Sequence, residues 1–229
     1  MKAVFSLLMA LAFYSATSAQ NSYGFRIAYN NSNATTNEDT VTVSSISRFQ
    51  LGFFVKKYVT KNVFMKVNIL FNQKGNFYND FARRRADAGK SVKMRLNYLE
   101  TSLDVGYTFK LKPNQNIHLG VGPFLAYGLS GTEKGMEEWI GGTRDVDRKI
   151  DFVSGQTKGA VNTQMKRTDM GLNFNAEYQL KNYGFFVNYG LGLASRETAY
   201  QTMNRVFSVG FSYSLMREKI NQLGCNIPK

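Results

Sequence analysis

Apolar and polar residues alternate with a period of two along most of this chain, and no stretch carries a convincing 3.6-residue apolar stripe. Such alternation predicts strands with two unlike faces. Eight segments show it: 22–30, 47–56, 63–72, 98–109, 117–130, 169–180, 183–194 and 206–215. The first aligns Tyr23, Phe25, Ile27 and Tyr29 on one face, and the third aligns Val63, Met65, Val67, Ile69 and Phe71. The seventh aligns Tyr183, Phe185, Val187, Tyr189, Leu191 and Leu193. No position on any of the eight apolar faces is charged, and only Thr101 and Pro123 are neither apolar nor aromatic.

The opposite face separates two architectures. It carries Arg26, Arg48, Lys56, Lys66, Glu100, Asp104, His118, Asp169 and Glu177, with many Asn and Ser and a series of glycines such as Gly24, Gly52, Gly106, Gly120 and Gly190. A soluble sandwich or lipocalin-like barrel turns its apolar face inward and wets the other. Glycine is a poor residue for a wetted strand face, because it leaves backbone uncovered and weakens the strand. A transmembrane barrel inverts the arrangement, with apolar side chains toward lipid and small polar ones filling a narrow interior. Tyrosines near segment ends (Tyr23, Tyr29, Tyr107, Tyr127, Tyr178, Tyr183, Tyr213) suit interfacial aromatic girdles. The expected fold is therefore all-β: an eight-stranded antiparallel up-and-down transmembrane β-barrel. A soluble ligand-binding barrel is the alternative, and it requires the apolar face to enclose a cavity.

Connections alternate in length. About 16 residues join the first two segments, about 25 join the third and fourth, 131–168 join the fifth and sixth, and 195–205 join the last two. The intervening connections are short: 57–62, 110–116 and 181–182. Short periplasmic turns and long external loops are the outer-membrane pattern. The N-terminus agrees with export. Met1-Lys2 precedes an apolar run, and small residues end at Ala19, the order of a secretory signal peptide. The expected domains are a signal peptide over 1–19, a barrel over 20–215 and a short periplasmic tail over 216–229.

Composition narrows the classes. The chain has 229 residues, 43 % hydrophobic and 14 % aromatic, too aromatic for a disordered protein. Mean hydropathy is -0.30, which argues against membrane helices. One cysteine, Cys225, excludes a disulfide framework, and no cofactor or metal site is read from the sequence. The net charge is +13, and its strongest local feature is Arg83-Arg84-Arg85 with Lys74, Lys90, Lys93 and Arg95 against Asp80 and Asp87, a region of +5 in the expected second external loop. Arginine forks bind phosphate bidentately, so this cluster is a candidate contact for anionic lipid, including lipopolysaccharide phosphates. The expected location argues against nucleic acid.

Three stretches resemble the PorT-like outer-membrane β-barrel family of Bacteroidetes-type bacteria. They are Leu70-Phe71-Asn72-Gln73-Lys74-Gly75, Asn97-Tyr98-Leu99-Glu100, and the run Gly120-Val121-Gly122-Pro123-Phe124-Leu125-Ala126-Tyr127-Gly128-Leu129-Ser130-Gly131. Tyr189-Gly190-Leu191-Gly192-Leu193 is similar to a further segment of that family. The resemblance implies an outer-membrane barrel, and for its namesake an association with a protein-export apparatus.

The inward charges divide evenly into four cations (Arg26, Arg48, Lys56, Lys66) and four anions (Glu100, Asp104, Asp169, Glu177). Buried charges must be paired, so the expectation is an internal network that plugs the barrel. Eight strands leave no aqueous channel. An enzyme needs a base within hydrogen-bond reach of a nucleophile. The lone His118 is expected at the periplasmic end, away from the external loops. The loop acids Glu137, Glu138, Asp145 and Asp147 are expected to be solvated. The reading is a non-enzymatic membrane scaffold whose external loops meet a protein partner. An accessory role in secretion and a lipid-modifying enzyme are the alternatives.

Overall fold

The structure is a computed structural model that describes residues 21–36, 42–79, 90–139, 142–153, 163–196 and 202–215, with backbone alone at residues 21, 90 and 139. The expected signal peptide and periplasmic tail lie outside the described residues. The described chain forms eleven strands: β1 (Asn21–Thr35), β2 (Thr42–Ser44), β3 (Ile46–Tyr58), β4 (Val63–Asn79), β5 (Lys90–Lys112), β6 (Gln115–Trp139), β7 (Gly142–Val153), β8 (Thr163–Lys166), β9 (Thr168–Leu180), β10 (Tyr183–Gly192) and β11 (Met203–Ser214). Eight of them make an antiparallel barrel in the order β1-β3-β4-β5-β6-β9-β10-β11. β11 pairs back onto β1, with Gly24 opposite Ser214 and Ile27 opposite Phe211. Closure leaves no edge strand in the lipid-embedded part, which is what a hydrocarbon environment demands of strands.

The faces divide as the alternation predicts. Phe25, Ile27, Leu51, Phe53, Ile69, Leu103, Leu125, Phe185 and Phe211 all stand on the outside, exposed. Residues of the opposite parity on the same strands, among them Arg26, Gly52, Asn68, Ser102, Asn175 and Ser212, point in and are buried or small. Some of the inward glycines are seats for rings. A Cβ at Gly106 would lie 2.4 Å from the Phe64 ring, and one at Gly128 would lie 2.5 Å from the Phe152 ring. The short turns use conformations that suit polar residues, with Asn114 at φ 71° and Lys181 at φ 55°.

Two of the expected long loops are instead largely strand. β4 runs seven residues past the expected end at Asn72, β5 begins at Lys90, and the two pair up to Asn79 opposite Ser91. β6 continues to Trp139 and turns back as β7, and β8 adds to β7 in parallel over Ile150–Val153. A bulge at Leu129 lets β6 leave β9 for β7: Tyr98 pairs with Gly128, but Asn97 pairs with Ser130. The alternation in these stretches is inverted. Val92, Met94, Leu96 and Tyr98 face inward and are buried, while Ser91, Lys93 and Arg95 face out. In these extensions the barrel has an apolar inside and a polar outside, the reverse of the rest of the wall.

Candidate functional site

The interior is built in two storeys. In the membrane storey, alternate residues of every strand converge, and their polar groups find one another. Lys74 of β4 donates to Glu100 of β5 at 2.8 Å and to Asp169 of β9 at 3.0 Å. Asn72 donates to the same Glu100 oxygen at 2.9 Å, and Asn204 of β11 donates to Asp169 at 2.9 Å. Lys66 meets Glu177 at 2.6 Å, and Ser212 donates to the other oxygen of Glu177 at 2.7 Å. Arg26 donates to Asn68 at 2.9 Å, and Asn68 donates to Asp104 at 2.9 Å, so an amide links these two charges. Apolar faces also support the cations: the Arg26 guanidinium sits 3.9 Å from the Phe186 ring centroid, and the Lys74 ammonium 4.3 Å from that of Phe124.

At the short-turn end, His118 is buried among Thr108, Lys56 and Gln179. Thr108 Oγ1 lies 2.8 Å from Nδ1, and Gln179 Oε1 lies 2.6 Å from Nε2. This network assigns the proton to Nε2, which donates to Gln179, while the Thr108 hydroxyl donates to Nδ1. Lys56 also donates to Gln179 at 3.1 Å. Both ring nitrogens are thus engaged within the wall, and Thr108 is 1 % exposed.

The outer storey is apolar. Met94, Leu96, Tyr98, Phe124 and Ala126 pack with Ile150 and Phe152 of β7 and Met165 of β8. Arg196, from the connection after β10, is fully buried and closes the side of this core. It donates to Asn204 at 2.9 Å, to the Tyr78 hydroxyl at 2.7 Å and to Asn76. Between the storeys lies a small void of about 10 Å³, lined by Asn72, Lys74, Glu100 and Ser208 among others. That is the space of about one water molecule.

Of the eight charges expected inside, Arg26, Lys56, Lys66, Glu100, Asp104, Asp169 and Glu177 are buried there. Arg48 is half-buried, and its Nε and one Nη make no hydrogen bond. Arg83, Arg84 and Arg85 lie outside the described residues. Lys74, grouped by sequence with the external basic cluster, belongs to the interior instead, because β4 continues past Asn72 and keeps its parity. Glu133 and Arg196 are further buried charges that the sequence reading placed in loops. Glu133 accepts from Thr163 at 2.5 Å and faces Arg148 at 3.4 Å. Glu137 and Asp147 pair with Arg148 and Lys134 across the β6–β7 hairpin, whereas Glu138 and Asp145 are exposed. Among the described residues, no group of three or more His, Cys, Asp or Glu could hold a metal ion.

A closed antiparallel barrel with an apolar outside and a polar inside defines an outer-membrane β-barrel protein. The chain belongs to the family of the outer membrane protein beta-barrel domain, whose model matches residues 18–195. It is similar in structure to Ail, the attachment invasion locus protein of Yersinia pestis, with 12 % identity, 85 % of this chain and 99 % of that chain covered, and a TM-score of 0.40. It is likewise similar to Neisserial surface protein A, with 11 % identity, coverage of 83 % and 96 %, and a TM-score of 0.44. For OprG from Pseudomonas aeruginosa the values are 10 %, 85 % and 93 %, and 0.45. No curated protein matches the chain in sequence.

Proposed function

We propose that the protein is a sealed, non-enzymatic outer-membrane scaffold that presents a folded external sheet to a partner. The observation that carries this reading is the charge balance of the packed interior. Among the described residues, five buried cations (Arg26, Lys56, Lys66, Lys74, Arg196) balance five buried anions (Glu100, Asp104, Glu133, Asp169, Glu177). A conducting pore needs a continuous water path, and the direct Lys74 and Lys66 ion pairs and the small void argue against one. The short turns face the periplasm in this reading, and the β4–β7 extensions face outward, where Arg83, Arg84 and Arg85 meet lipopolysaccharide phosphates. Reconstituted protein in planar bilayers is expected to give no steady conductance. Reproducible open-channel steps would refute the sealed interior.

A narrower placement in the PorT-like group, with an accessory role in protein export, draws on the Gly120–Gly131 motif. Gly128 seats Phe152, and Gly131 lies against Ile150 and Leu96. These two glycines make room for the outer apolar core, a packing role.

A further inference from the structure

The two ends of the barrel differ in charge. At the end formed by the short turns, Lys61, Lys110, Lys112 and Lys181 are exposed, and Lys57 is half-exposed. They come from all three short turns, β3–β4, β5–β6 and β9–β10. Among the described residues, no Asp or Glu is exposed at this end; the nearest acid, Glu177, is buried with Lys66. At the other end, acids and bases interleave, as Lys134 with Asp147 and Arg144 with Glu137. The cationic ring therefore does not arise from an overall surplus of lysine spread at random.

Its height against the membrane is marked by rings. Tyr23, Tyr107, Tyr178, Tyr183 and Tyr213 stand exposed on the outside near the same end, and the Tyr183 and Tyr213 rings are 5.2 Å apart. Such tyrosines sit at the boundary between hydrocarbon and headgroups. The lysines lie in the turns just beyond them. A lysine there extends its alkyl stem along the boundary and places its ammonium among lipid phosphates.

We propose that this lysine ring is a binding site for anionic phospholipid headgroups of the leaflet on the short-turn side. The inference rests on the orientation given above, which makes that leaflet the periplasmic one. Lipid is favoured over a soluble acidic partner because the ring follows the tyrosine boundary around the barrel instead of gathering in one patch.

The test is the association of spin-labelled phosphatidylglycerol and phosphatidylcholine with full-length protein in phosphatidylcholine vesicles. Wild type is expected to prefer phosphatidylglycerol by about fivefold, the scale of one lysine meeting one anionic headgroup, and 1 M salt is expected to abolish the preference. The variant carrying K61Q, K110Q, K112Q and K181Q should lose it while still changing mobility on boiling in SDS. The variant carrying R83S, R84S and R85S should keep it. Equal association of both lipids with wild type would overturn the proposal, as would an unchanged preference in the quadruple variant or its loss in the arginine variant. Binding of poly-glutamate by the lysines, without any lipid preference, would overturn it in favour of an acidic polymer. A variant that no longer shifts on boiling would indict the barrel; the K61R, K110R, K112R and K181R variant, which keeps the charge, then decides, and its loss of preference would also overturn the lipid site. Steady conductance with intact lipid preference would refute the sealed scaffold alone.

Discussion

Lys74 holds two carboxylates that come from strands far apart in sequence, Glu100 on β5 and Asp169 on β9. Removing its ammonium leaves two buried anions without their cation. Lys74→Met is therefore expected to destabilise the barrel by about 3–5 kcal/mol, the cost of breaking a buried pair from one side. Urea unfolding in lipid vesicles measures this, and a loss below about 1 kcal/mol would show that the site is wet. Glu100→Gln with Lys74→Met should recover part of the loss, because it removes one of the stranded charges. Lys74 was legible from parity alone: it continues the inward series Lys66, Asn68, Leu70, Asn72. What hid it was the expected end of the strand at Asn72, since the basic residues that follow resemble a solvated loop.

At the scale of elements, the lipid-embedded strands were readable because lipid selects an apolar face and a closed narrow interior selects small polar residues and glycine. The same rule failed above the membrane. There Val92, Met94 and Leu96 of β5, and Val146, Ile150 and Phe152 of β7, point inward. The stretches still alternate, but with the apolar face reversed and charged residues between, so they read as loop. The β6 bulge at Leu129 compounds this by switching the inward positions of β6 from even numbers (Phe124, Ala126) to odd ones (Gly131, Glu133). β7 and β8 are held to the barrel by the outer core, so their stability depends on it. Phe152→Ala is expected to cost about 3–5 kcal/mol locally. Amide exchange should then accelerate across β7 and β8 while β10 and β11 stay protected. Equal acceleration throughout would mean that the two storeys unfold as one unit.

For the whole molecule, the interior partners of the network could not be paired from sequence, because Lys74–Asp169 and Lys66–Glu177 join strands distant along the chain. Closure brings them together, and closure was legible only as an even number of strands with alternating short and long connections. The account as a whole rests on a barrel whose apolar face meets lipid and whose backbone hydrogen bonds close on themselves. Such a barrel resists SDS until heated, because no strand edge offers a point of entry. The most direct measurement is electrophoresis of the outer-membrane fraction with and without boiling. The protein is expected in that fraction, with a mobility that changes on boiling. A soluble periplasmic protein with the same mobility in both lanes would contradict the account, and would require the apolar face to point inward.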